Sequence, residues 1–233
     1  MLDPANESAT RTAGAGETGG RRGRPTHRPH LRGRLHQGAI PLALLGLWWL
    51  VATAPNTTAR VAAWVYGLAG VALYTVSSTY HVFARDGRAH EVMQRADHAT
   101  IYVLIAGSFT PICLLGITGP LRYGLLALVW GGAVAGICIK VFAFSRARVV
   151  GSALYLVLGW LGIAVIPVLF AHPLIGGLIL AAGVLYTVGA ILFATGLPRW
   201  NSRWYGFHEV WHTFGLAAGG LLFAANLLLI AKG

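Results

Sequence analysis

The sequence predicts an all-α fold, a bundle of seven transmembrane helices with the N-terminus in the cytoplasm and the C-terminus outside. Three observations predict it. Of 233 residues, 56% are hydrophobic and only 11% are charged, against about 25% charged in a typical soluble domain. The mean hydropathy is +0.64. The apolar residues gather into seven runs, each near the roughly 20 residues that a spanning helix needs, and the basic residues fall mainly on alternate connections.

Two parts follow from the composition: a basic tail over residues 1–35 and a membrane domain over 36–233. The tail is rich in Arg, Gly, Thr and Pro and carries Arg11, Arg21, Arg22, Arg24, Arg28, Arg32 and Arg34. It has no hydrophobic period, so disorder is expected. No small-residue cleavage site follows a short apolar region, so the first apolar run reads as a retained helix and not a signal peptide.

The spans are expected near 38–55, 60–83, 97–116, 122–143, 150–170, 173–195 and 205–231. Pro55-Asn56 ends the first, and Arg85-Asp86-Gly87-Arg88 ends the second. Gly119-Pro120 separates the third from the fourth, and Ser145-Arg146-Ala147-Arg148 follows the fourth. His172-Pro173 is a tight connection, and Leu197-Pro198-Arg199-Trp200 ends the sixth. Gly and Pro punctuate helices in this way because they do not continue them readily.

Charge fixes the orientation, because inner loops carry the excess of Lys and Arg. The predicted inner side holds the tail arginines, Arg85, Arg88, Arg95, Lys140, Arg146, Arg148, Arg199 and Arg203. The outer side holds only Arg60, Arg122 and Lys232. The formal charge of +11 raises nucleic acid as a partner. Its distribution excludes that class: the basic residues line the inner leaflet, where anionic lipid attracts them.

Cys113 and Cys138 lie in apolar runs and read as small buried side chains. Gly131-Gly132, Gly176-Gly177 and Gly219-Gly220 permit close helix packing. Trp48, Trp49, Trp64, Trp200, Trp204 and Trp211 read as interfacial belts.

Ionisable groups in a membrane bundle are costly and mark function. His81 falls at the inner end of the second span, Asp97 and His98 at the inner start of the third, and His208, Glu209 and His212 at the inner start of the seventh. The topology alone brings these segments to one depth. His208 and His212 are spaced i, i+4, which stacks both rings on one helix face. Two such imidazoles suit zinc, and a third His leaves the fourth position for water, as in a catalytic site. His81 is the third ligand by depth, with His98 as its competitor. Asp97 then offsets the ion's charge and takes a proton from zinc-activated water, whose pKa falls to about 7. Ser77 lies one turn before His81, and its hydroxyl is placed to orient water or a developing oxyanion. Each residue alone has a bland alternative: packing for the His pair, a dipole charge for Asp97 and Glu209, a bond to a carbonyl one turn back for Ser77. Glu209 is expected to point away from the His208/His212 face.

These segments resemble the hemolysin III family. Ser77-Ser-Thr-Tyr-His81 resembles that family's second-helix motif. Arg95-Ala-Asp97-His98, followed by Ile105 to Pro111, resembles its third helix, and Pro198 to Trp204 with Gly206-Phe-His208-Glu-Val-Trp-His212 resembles its last. The resemblance spans the chain beyond the tail and extends to the wider group of progestin and adipoQ receptors and alkaline ceramidases. It implies zinc held by His81, His208 and His212, with Asp97 and Ser77 at the positions that hold or polarise the water. One departure is Leu222, where relatives are expected to carry a further His.

The function expected is that of a zinc-dependent membrane hydrolase acting on a lipid amide or ester near the cytoplasmic leaflet. Two alternatives stand beside it: a receptor or sensor with a non-catalytic zinc, and a pore-forming cytolytic protein. Membrane lipids and a lipid-like substrate or ligand are the expected partners.

Overall fold

The computed structural model describes residues 29–84, 86–144, 148–162, 166–199 and 203–233. The tail up to residue 28, where disorder is expected, lies outside the described residues, as do Arg85, Ser145 to Ala147 and Trp200. The chain is an all-α membrane bundle. Its helices are α1 (Arg34–Thr53), α2 (Thr57–Val82), α3 (Gly87–Pro111), α4 (Leu121–Phe142), α5 (Arg148–Trp160), α6 (Ile166–Ala171), α7 (Pro173–Thr195) and α8 (Phe207–Lys232). Six of them are long and apolar enough to cross a membrane, with α3 continuing to Gly116 through a π-helical turn. The fifth predicted span, 150–170, holds the two shorter helices α5 and α6, with residues 163–165 between them outside the described residues.

Local chemistry explains the ends. Asn56 caps α2, its Oδ1 accepting from the Ala59 N–H at 2.9 Å. Pro173 occupies the first turn of α7, where its missing N–H costs nothing. Gly196 ends α7 in the left-handed conformation typical of helix C-termini. Pro111 has no N–H to give, and the helix widens into the π turn directly after it.

Two boundaries differ from expectation. Helix α3 begins at Gly87, not near 97. Its first ten residues are polar and helical, and a span read from hydropathy stops where lipid contact stops, not where the helix does. His90 and Glu91 are therefore helical, and Asp97 sits about 15 Å along α3 at 1.5 Å per residue. Helix α1 begins at Arg34, inside the segment assigned to the tail. Residues 30–33 form a turn tied to the α7–α8 connection: the His30 N–H donates to Arg203 O at 2.9 Å and the Leu31 N–H to Trp204 O at 3.2 Å.

Consecutive helices from α1 to α5 and from α6 to α8 pack as neighbours, and α1 meets α8, which closes the bundle. Helix α8 also touches α2 and α3. One core, with Tyr102, Phe109, Ile112, Val129, Leu158, Val168 and Leu229, joins α3 to α6 and α8. A second, with Leu50, Ala63, Tyr66 and Ile230, joins α1, α2 and α8. Gly136 on α4 lies where any Cβ would overlap the Tyr102 ring, so the close α3–α4 approach depends on it. Of the predicted glycine pairs, Gly132 meets Leu158 and Gly219 meets the Tyr74 hydroxyl, whereas Gly131 and Gly220 face open space. Leu42, Trp48, Val61, Leu128, Phe170 and Leu174 point outward, as a lipid-facing surface requires. Cys113 is buried, but Cys138 is exposed on α4; both are free thiols.

The C-terminus lies beside the α1–α2 connection, with the Asn56 amide donating to Gly233 O at 3.4 Å. The start of α8 lies at the other end of the bundle, beside the start of α1 and the end of α2. The start of α1 and the C-terminus thus lie at opposite ends of the bundle.

Candidate metal centre

The centre is built where the N-terminal turns of α1 and α8 meet the last turn of α2. His81 is the next-to-last residue of α2, and His208 and His212 lie in the first two turns of α8. Their i, i+4 spacing stacks the α8 pair as expected, with ring centroids 4.6 Å apart. His81 completes the triangle, its centroid 4.6 Å from that of His208 and 5.2 Å from that of His212. One nitrogen from each ring lies within 4.8 Å of the other two. His81 Nε2 and His208 Nε2 approach to 3.2 Å.

The cluster fits a tetrahedral ion. Zn–N bonds of about 2.0–2.1 Å separate two ligand nitrogens by about 3.3 Å, close to the His81–His208 approach. His212 Nε2 is buried and has no hydrogen-bond partner among the described residues. An orphaned buried nitrogen is costly unless something occupies its lone pair. Three neutral imidazoles and no thiolate are a donor set that zinc accepts.

Asp97 approaches the same point from α3. Its Oδ2 is 3.8 Å from His81 Nε2, and the residue is buried. Ser77, one turn before His81, is buried beside Asp97. The five residues singled out from the sequence therefore converge. His98 does not join them: its Nδ1 faces the Gln94 carbonyl at 2.8 Å and its ring sits edge-on to Phe144. Its Nδ1 is 4.0 Å from Asp97 Oδ2, and it is not one of the three residues whose nitrogens gather.

Glu209 does more than the dipole charge expected at the start of α8. It is fully buried, and its carboxylate accepts from Arg32 Nε at 2.6 Å and from the Gly206 N–H at 2.8 Å. It is thus a cap on α8 and the anchor of the segment before α1. His36, on the first turn of α1, was not among the candidates; its Nε2 lies 3.1 Å from His212 Nδ1. The signal that marks it is the one that marks His208, an ionisable residue at the inner end of a span.

Residues 25–222 match the family model described as Haemolysin-III related. The chain belongs to the haemolysin III family. Among haemolysin III relatives, Hemolysin-3 of Bacillus cereus is 35% identical over 177 residues, covering 75% of this chain and 78% of the relative. The Hemolysin-3 homolog of Bacillus subtilis (strain 168) is 31% identical over 202 residues, covering 84% and 92%. The human monocyte to macrophage differentiation factor is 25% identical over 202 residues, covering 82% and 79%. This haemolysin III chain is a multi-pass membrane protein whose His81, His208 and His212 are grouped closely enough to hold a metal ion.

Proposed function

We propose that the protein is a zinc-dependent membrane hydrolase acting on a lipid amide or ester. The observation that carries this reading is the approach of Asp97 Oδ2 to within 3.8 Å of His81 Nε2, beside a three-histidine cluster. A zinc ion held by His81, His208 and His212 would supply a Lewis acid that activates water at neutral pH.

The chain's own residues then divide the work. The three imidazoles are neutral donors, so Asp97 would offset part of the charge of a bound ion. Asp97 Oδ2 orients the attacking water and takes its proton, a general-base role within reach of the cluster. Ser77 Oγ, buried beside Asp97, is placed to hold a substrate carbonyl oxygen or the water. Burial among α1, α2, α3 and α8 excludes bulk water and strengthens each of these interactions. The charge pattern puts the centre at the cytoplasmic leaflet, where an amide or ester linkage of a lipid lies close to the headgroup.

A second reading, a sensor with a non-catalytic metal, is favoured by the closure of the site: His81, His212 and Asp97 are all buried and Gly33 lies against His81. The relatives' name carries a third, cytolysis, but the outer halves of the helices offer few ionisable groups for a conducting path.

Hydrolysis of short-chain ceramide and of a lipid ester by purified protein separates these readings. Asp97→Asn should keep the metal and lose about 10²–10⁴-fold in turnover. No hydrolysis by metal-loaded wild type across both substrate classes would instead support the sensor. Lysis of erythrocytes that survives loss of His208 would support the pore.

A further inference from the structure

His36 takes no part in the grouping of ligand atoms, which comprises His81, His208 and His212. Yet it is buried and packed on the cluster, its ring centroid 4.1 Å from that of His212 and in edge contact. Its Nε2 meets His212 Nδ1 at 3.1 Å, while His212 Nε2 has no partner among the described residues. A neutral imidazole has one N–H and one lone pair. If the Nε2 lone pair of His212 serves an ion, the proton is on Nδ1, and His36 Nε2 is the acceptor placed to receive it.

We propose that His36 is a positioning residue for the metal centre: by accepting the Nδ1–H of His212, it holds that ring in the tautomer and orientation in which Nε2 is a ligand. The inference rests on the metal-centre reading above. A metal-bound His generally gives its other N–H to such a partner, which fixes the ring and raises its basicity. Most such partners are carboxylates or carbonyls; here a second imidazole fills the role. Its own ring is held in place by the edge of Tyr74, at 5.2 Å between centroids. The start of α1 that carries it is pinned twice more. Arg32 is paired with Glu209, and Gly33 lies against His81 so closely that a Cβ would come within 2.6 Å of the His81 Cβ. Successive residues of one short segment thus contact the helices that bear all three ligands.

The test is zinc affinity of the full chain in detergent, by competition with a chelator, for wild type, His36→Gln, His36→Asn and His36→Phe. His36→Phe keeps the ring volume and removes the acceptor; its affinity should fall about 10–100-fold. The Gln carbonyl oxygen reaches the place of Nε2 and should restore most of that loss, whereas the shorter Asn should not. The cobalt-substituted absorption spectrum should shift in His36→Phe and return in His36→Gln. Melting of the metal-free forms reads folding separately. If His36→Phe does not fold, the Gln and Asn variants decide, and equal affinities for those two overturn the proposal. Zinc bound as tightly by His36→Phe as by wild type overturns it while leaving the three-histidine centre standing. A wild type that binds no zinc overturns both.

Discussion

Arg32, in the turn before α1, donates from Nε to the buried carboxylate of Glu209 on the first turn of α8 at 2.6 Å. The bond ties two segments 177 positions apart and brings the first helix to the metal-bearing end of the last. Glu209 is fully buried, so its charge depends on this partner and on the Gly206 N–H.

Arg32→Met should therefore destabilise by about 3 kcal/mol, the low end for breaking a buried pair, since Arg32 itself is partly exposed. The double variant Arg32→Met/Glu209→Gln should cost less than Arg32→Met alone, because it leaves no buried charge unpaired. Thermal melting in detergent checks both, and a single variant that melts like wild type would contradict this role for the pair.

Gly33 makes a sharper steric claim. Its φ of +79° is in the left-handed region, which costs other residues about 1–2 kcal/mol. An added Cβ would also meet the His81 Cβ at 2.6 Å. Gly33→Ala should lower the melting temperature and also reduce zinc occupancy, because the atom displaced belongs to a ligand. Loss of stability with full occupancy would show that the α1 turn does not bear on the centre.

His98 supplies the control. Sequence spacing makes it a rival to His81, but its Nδ1 is turned to the Gln94 carbonyl. His98→Ala should leave zinc content at the wild-type level, as measured by elemental analysis. A loss equal to that of His81→Ala would mean that the wrong third ligand has been assigned.

The spans were legible where hydropathy and helix length coincide. Helix α7 matches its predicted range at both ends, and α4 is shifted by one residue. The start of α3 was not, because its polar first turns are helical beyond the lipid-facing stretch. The candidate site was legible to the extent that topology sets depth: His81, Asp97, His208 and His212 meet because their segments end on one face. The side on which a residue finds a partner was not. Glu209 read as a dipole charge at a helix start, and only the packed fold shows that it is buried and paired with Arg32. Arg32 was hidden by composition, since a basic Gly-rich stretch reads as a loose tail even where its last residues are pinned to α8. Depth alone would have added His36 to the candidates.

The central claim is that His81, His208 and His212 form one metal centre, and elemental analysis of the purified protein tests it most directly. Wild type should carry about one zinc per chain, matching a single site with three protein ligands, and His212→Ala purified beside it should carry almost none. Wild type without metal, or His212→Ala with metal content equal to wild type, would contradict the account.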